Sequence, residues 1–290
     1  MKIGITCLPT AGGSGILATE LGIALAEQGH TIHFVTLEPL FRLRSYHANV
    51  FSHTVGTTAY PQFKYPPYTL ALATKILEVA EEADVDIWHA HYAIPHATSA
   101  LLARDMLPPE RRFKLVTTLH GTDITLVGLD PSFYRMTKYA MENSEAVTAV
   151  SQWLTDETQR EFSLNVPIRT IYNFLDVERY PQDKCHRCRL AEPGEKVVMH
   201  ISNFRPVKRV TDVVRAFKKI ADRLPARLVF IGDGPERMSA VGVARQLGVS
   251  DLITYLGTYE SIASILPCAD LVFQPSEHES FGLVALEAMA

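Results

Sequence analysis

Four cysteines in 290 residues, Cys7, Cys185, Cys188 and Cys268, are too few for a disulfide framework and point to a reducing compartment. Cys185 and Cys188 form a C-x-x-C, but a structural zinc needs four ligands and no second C-x-x-C exists to complete one. No apolar run reaches the ~18 residues that cross a bilayer, and Met1–Leu8 reads as a first strand, not as the basic start of a signal peptide. Basic excess is absent too: the formal charge of −4 offers no field for nucleic acid or an anionic membrane, so any anion must be bound locally. The expected compartment is the cytosol. Low-complexity tracts and short internal repeats are also missing.

What is present is a globular composition, 47% hydrophobic and 21% charged, in a chain long enough for about two domains. Short β-branched runs alternate with helical patterns, the signature of βαβ units and parallel sheets. Strands are expected at Lys2–Cys7, Thr31–Thr36, Val50–Val55, Asp86–Tyr92, Lys114–His120, Ala146–Ser151 and Arg169–Asn173. Residues 176–195 break the rhythm with Pro181, Pro193, Gly194 and few periodic apolar positions, and read as a domain junction. A second series follows: strands Lys196–Ser202, Arg227–Gly232, Ile253–Leu256 and Leu271–Gln274, helices Thr211–Leu224 and Glu236–Leu247, a short helix near Ile262–Leu266, and a helix opening near Phe281. That last pattern reaches Ala290 without a C-cap signal, so the native chain is expected to continue and the second domain to be incomplete.

The loop Pro9–Gly15 lies between the first strand and a helix whose apolar face is expected to include Leu17, Leu21, Ala24 and Leu25. Its glycines let backbone N–H groups approach a ligand, and the helix N-terminus adds partial positive charge, so the loop is an anion-site candidate. Gly13–Ala18 also fits G-x-G-x-x-A, with Glu38 placed for a ribose hydroxyl, which keeps an NAD(P)-linked oxidoreductase open as an alternative. Alternation puts His89 and His91 on one strand face and Ala90 and Tyr92 on the other, Tyr92 pointing to the crevice where parallel sheets bind ligands. Nothing obvious in the spacing ties His96 or His120 to that pair. Thr117–Asp123 ends a strand with His120-Gly121, leaving room for a ligand beside the imidazole.

In the second half, Asn203, Arg205, Lys208 and Arg209 follow a strand, where forked and point charges suit a diphosphate. Gly232 and Gly234 make a turn that brings backbone close to a base or phosphate. Glu279 and Glu287 are eight residues apart, in a loop and about two turns into a helix, where carboxylates can receive hydroxyl donors.

With the E-x₇-E pair at Glu279 and Glu287, the chain resembles the retaining GT-B glycosyltransferases of family 4 along essentially its whole length. The Gly12–Gly15 loop, Phe63–Tyr68, His89–Ala93, Thr117–Asp123, Tyr172–Phe174, Ser202–Arg209 and Ser276–Ala290 are similar to the branch of that family that opens bacillithiol biosynthesis by glycosylating L-malate. The resemblance implies an α/β GT-B fold: two Rossmann-like, doubly wound parallel-sheet domains facing a cleft, with residues 1–175 binding acceptor and 196–290 binding nucleotide-sugar. It implies UDP-N-acetylglucosamine as donor, L-malate as acceptor, no metal and no other cofactor. Glu287 would hold the ribose and Glu279 the sugar hydroxyls, with Gly13, Gly232, Gly234, Phe281 and Gly282 lining the donor. Lys208 and an arginine would meet the diphosphate. The family's arginine position, five before the lysine, is Asn203 here, so the role moves to Arg205. His120 would contact sugar or diphosphate, and with Arg205, Lys208 and Glu279 makes up the catalytic set. Ser14, Gly15, Tyr92, Thr118 and Asn173 or Asn203 would hold malate, while Arg42, Arg44 and Lys64 add charge without a defined role. Another small acceptor, or a non-catalytic ligand-binding module, stays open, as does oligomeric state, homo-oligomers included.

Overall fold

The computed structural model describes residues 1–9, 12–43, 45–56, 66–180 and 190–290. Arg44, Lys64, Cys185 and Cys188 therefore lie outside the described residues. Cys268 is disulfide-bonded, which the low cysteine count did not anticipate. The chain divides into two compact units, Met1–Asn173 and Phe174–Ala290.

Unit 1 is a seven-stranded parallel sheet in the order β3-β2-β1-β4-β5-β6-β7. Its strands are β1 (Lys2–Thr6), β2 (Thr31–Thr36), β3 (Val50–Thr54), β4 (Ile87–His91), β5 (Lys114–Leu119), β6 (Ala146–Ala149) and β7 (Ile168–Thr170). The helices are α1 (Gly13–Glu27), α2 (Tyr68–Ala83), α3 (Thr98–Met106), α4 (Thr122–Thr125), α5 (Tyr134–Glu142) and α6 (Gln152–Phe162). Each expected strand is present, and all but β2 end earlier than expected, because the residues at their carboxyl ends turn into loops.

The core forms where small residues admit large ones. A Cβ on Gly4 would sit 2.3 Å from the Trp88 ring, so glycine in β1 makes room for the fully buried indole. Gly22 does the same for Phe34. This corrects the expected face of α1: the buried residues are Gly15, Leu17, Ala18, Thr19, Gly22, Ile23 and Ala26, whereas Leu21, Ala24 and Leu25 are half-buried. Mostly small side chains let the helix lie close to the sheet, and close approach outweighs side-chain hydrophobicity in choosing the face.

Unit 2 is a four-stranded parallel sheet, β10-β9-β8-β11, of β8 (Lys196–Ile201), β9 (Ala226–Ile231), β10 (Ile253–Gly257) and β11 (Leu271–Val272). It carries α7 (Val210–Ala221), α8 (Arg237–Gln246) and α9 (Leu283–Met289). The short helix expected near 262–266 is instead a 3₁₀ turn at Leu266–Cys268, where Pro267 removes a backbone donor. The front of the segment read as a junction belongs to unit 2, since Tyr180 is 9% exposed and packs with Val197, Met199 and Ile231.

Candidate functional site

In open parallel sheets, ligands bind beyond the carboxyl ends of strands where the winding direction reverses. Unit 1 reverses between β1 and β4, and unit 2 between β8 and β11. Ser14, Gly15 and Tyr92 lie after the strands that flank the first reversal, and Asn203, Arg205, Lys208 and Glu279 after those that flank the second.

In unit 1, β1 runs into α1, whose N-cap is Gly12 with no side-chain cap. Ser14 and Gly15 lie in its first turn, where no side chain among the described residues caps the backbone donors. Arg42 is ion-paired to Glu20 at 3.4 Å.

At the end of β4 the expected alternation fails at Tyr92. Its φ of 90° is left-handed, and this brings its ring to 5.3 Å from that of His120, beside the histidines and not across the sheet from them. His89 and His91 do share a face, with ring centroids 4.4 Å apart. His96 and His120, which the sequence seemed to leave separate, join them. His91 Nδ1 lies 2.9 Å from His120 Nε2, and His96 Nδ1 donates to the His91 carbonyl at 2.5 Å. The signal was available for one of the two, in the spacing His91-x₄-His96. Burial holds all four imidazoles neutral: His89 and His96 are pulled down to about 4, His120 to about 3, and His91 well below its ordinary value. Among the described residues no group of three or more His, Cys, Asp or Glu side chains is arranged to hold a metal ion.

Asp123, not singled out from sequence as a site residue, fixes this corner. Its Oδ1 accepts from the N–H groups of His120 (3.2 Å) and Gly121 (3.0 Å), and its Oδ2 accepts from that of Ala93 (3.1 Å). One carboxylate thus ties the loop after β5 to the loop after β4. Burial pushes its carboxyl up to about 6 against the pull of those donors. Thr118 is less available than expected: it is 8% exposed, and its hydroxyl engages His89 Nε2 and Thr148 Oγ1, both at 2.7 Å. Asn173 does keep an open acceptor, since its Oδ1 is buried without a partner among the described residues.

In unit 2, the loops after β8 and β11 are cross-linked. His200 Nδ1 donates to the Phe273 carbonyl (2.8 Å), and its Nε2 accepts from Ser202 Oγ (2.9 Å). Gln274 Nε2 donates to the Ile201 carbonyl at 3.0 Å, and Glu277 N to that of Val207 at 2.9 Å. Lys208 Nζ then meets Glu279 Oε1 at 2.5 Å, uniting two candidates 71 positions apart. Arg205 and Asn203 are exposed on the same loop. Gly232 and Gly234 serve a purpose that sequence did not reveal. A Cβ on Gly232 would lie 1.9 Å from the Ser202 carbonyl oxygen, and one on Gly234 2.1 Å from that of Asn203, so these glycines admit the neighbouring loop's backbone.

Gly282, with φ 83°, precedes α9, which starts at Leu283. Glu287 is therefore just over one turn into the helix, not two. It is 5% exposed, and Tyr180 donates to its Oε1 at 2.7 Å. A buried carboxylate is costly unless it receives such bonds. Tyr180→Phe is expected to lower stability by about 1.5–3 kcal/mol, the worth of a hydrogen bond to a charged group. Urea unfolding of the chain measures it; an unchanged midpoint would show that other donors suffice.

Fold and loops together define a sugar-nucleotide glycosyltransferase, and comparison with known proteins agrees. Residues 11–179 match Glycosyltransferase Family 4 and residues 182–290 match Glycosyl transferases group 1; the chain belongs to glycosyltransferase family 4. It is 47% identical, over all of its length and 76% of the relative's, to N-acetyl-alpha-D-glucosaminyl L-malate synthase of Bacillus anthracis. An uncharacterized glycosyltransferase of Methanocaldococcus jannaschii is 27% identical over 96% of this chain and 74% of its own. Among solved structures, Anabaena HepE in complex with UDP and glucose matches with a TM-score of 0.77 at 19% identity, covering 100% of this chain and 78% of its own. Sucrose-phosphate synthase from Thermosynechococcus elongatus matches at 0.75 and 20% identity, covering 100% and 79%. These two likenesses establish the fold, two Rossmann-like units of the GT-B class. The oxidoreductase alternative has no support among these relatives. No helix among the described residues is long and apolar enough to cross a membrane.

Proposed function

We propose that this chain transfers N-acetylglucosamine from UDP-N-acetylglucosamine to the hydroxyl of L-malate with retention of configuration, the opening reaction of bacillithiol biosynthesis. The observation that carries this reading is the 47% identity to the malate synthase across the whole chain. The bond from the anomeric carbon to the β-phosphate oxygen breaks, and a bond from that carbon to the malate oxygen forms on the same face. The malate hydroxyl proton goes to the departing phosphate oxygen, leaving UDP. The protein's task is then positioning and charge stabilisation, with no metal and no covalent intermediate.

Lys208 and Arg205 meet the diphosphate in this reading, Glu279 the sugar and Glu287 the ribose. The two carboxylates of malate suit the backbone donors at the start of α1, and Ser14, Gly15, Tyr92 and Asn173 are the residues assigned to hold it. Support for Lys208 and Glu279 acting together comes from their contact at the reversal point of unit 2. The compartment in this reading is the cytoplasm, as expected from the sequence, and the partners are small molecules.

The decisive experiment incubates the protein with UDP-N-acetylglucosamine and L-malate and looks for glycosylated malate and UDP by mass spectrometry. UDP formation with another acceptor but not with malate would move the chain to a different acceptor class. Ser14→Ala should weaken malate binding more than donor binding in calorimetry, and the reverse order would remove the start of α1 from the acceptor site.

A further inference from the structure

The imidazoles of His91 and His120 form an N···N hydrogen bond, and such a bond contains one proton. Both rings are neutral, so two arrangements exist. Either His91 donates from Nδ1 and His120 accepts at Nε2, or the reverse. The remaining atom of His91 decides between them. His91 is 1% exposed, and its Nε2 is buried with no partner among the described residues. Were Nδ1 the acceptor, the ring's proton would sit on Nε2 as a buried N–H with nothing to receive it, the rarer kind of orphan in folded proteins. With the proton on Nδ1, Nε2 is only a bare lone pair.

The neighbouring ring already adopts that second state. His96 is 0% exposed and its Nδ1 faces the His91 carbonyl, which can only accept, so its proton is on Nδ1. Its Nε2 is likewise buried and unpartnered among the described residues. Two rings at one strand end thus share one tautomer, set by the acceptors in front of their Nδ1 atoms.

We infer that His91 is a positioning residue that donates its Nδ1 proton to His120 Nε2, fixing His120 as the Nδ1–H tautomer and turning a hydrogen-bond donor toward the ligand. This rests on the proposed contact of His120 with the sugar or diphosphate. His120 is half-buried, and its Nδ1 has no partner among the described residues. Charge grows on the departing diphosphate during transfer, and a fixed N–H there stabilises it where a lone pair would repel it. The rest of the corner holds the ring in place: Asp123 accepts from the His120 backbone N–H, and the Tyr92 ring lies 5.3 Å away.

The test has a spectroscopic and a kinetic arm. In protein labelled with ¹⁵N-histidine, long-range ¹H–¹⁵N spectra should show the His120 proton on Nδ1, and His91→Leu should move it to Nε2 or divide it between the two. A wild-type spectrum with the proton on Nε2 overturns the inference without any variant. In kinetics, H91L should lower kcat on the order of tenfold, the scale of one hydrogen bond, with little change in donor KM. H91N should restore most of the rate, because the asparagine amide nitrogen occupies nearly the place of Nδ1 and can donate. The double variant H91L/H120A should be no slower than H120A, since both remove one function. Full activity in H91L, or additive losses in the double variant, overturns the positioning role. Wild-type activity in H120A would instead overturn the contact assigned to His120, while the spectrum still decides the tautomer. If H91L does not fold, the wild-type spectrum and H91N carry the test.

Discussion

Lys208→Ala is expected to slow transfer by about 10²–10³ at saturating donor, the usual loss when one transition-state charge partner is removed. Lys208 is 21% exposed and its partner Glu279 37%, so their ion pair is partly solvated and contributes at most about 1 kcal/mol to folding. The variant should therefore keep its thermal midpoint, and the rate loss reports on chemistry. The physical reason is the position of Nζ. It stands where the loops after β8 and β11 meet, held by Glu279, and a diphosphate at this reversal point would find a cation already oriented. Glu279→Gln separates the two roles: Lys208 stays charged but loses its anchor, so donor KM should rise while turnover falls less than in the lysine variant. Turnover of Lys208→Ala equal to wild type at saturating donor would take Lys208 out of the mechanism.

Gly232→Ala is the second large effect. The new methyl group would meet the Ser202 carbonyl oxygen at 1.9 Å, and both sides of that contact are backbone, so neither can turn aside as a flexible side chain would. The φ of 109° adds strain that glycine alone escapes. Overpacking of about 1–3 kcal/mol and a left-handed penalty of about 1–2 kcal/mol together remove a large part of a domain's stability. Because the loop pushed aside carries Asn203, Arg205 and Lys208, UDP binding should fall along with stability. Calorimetric titration with UDP, paired with a thermal melt, checks both. A variant that melts normally and binds UDP normally would show that the two loops can separate without consequence.

Much of the fold was legible because parallel sheets write themselves locally. A β-branched run of five or six residues followed by a helical pattern names a βα unit wherever it stands, and Thr31–Thr36 coincides with β2 end to end. Carboxyl ends were harder. Tyr92 continues the apolar-aromatic pattern of its strand, but its left-handed φ is set by the packing around His120, which no neighbour in sequence announces. The face of α1 was misjudged for a related reason: leucines signal burial by transfer energy, whereas Gly22 is buried because Phe34 fills its missing side chain.

The site divides in the same way. The E-x₇-E spacing, the glycine-rich loop after β1 and the basic run after β8 are contiguous, so the resemblance to family 4 could be read from them, although residue types by themselves left an NAD(P)-linked reading of the first loop open. Partners distant in sequence were invisible until the chain was folded. Lys208 meets Glu279 across 71 positions, Tyr180 meets Glu287 across 107, and His91 meets His120 across 29. The first and last of these joins depend on neighbouring parallel strands ending at one edge of a sheet, whereas Tyr180 reaches Glu287 by packing on the strands of unit 2. A motif is encoded by its neighbours along the chain and can be read there. The hydrogen bonds and charges that tune it come from neighbours in space, and those exist only once the sheet order β3-β2-β1-β4-β5-β6-β7 and the order β10-β9-β8-β11 have been decided.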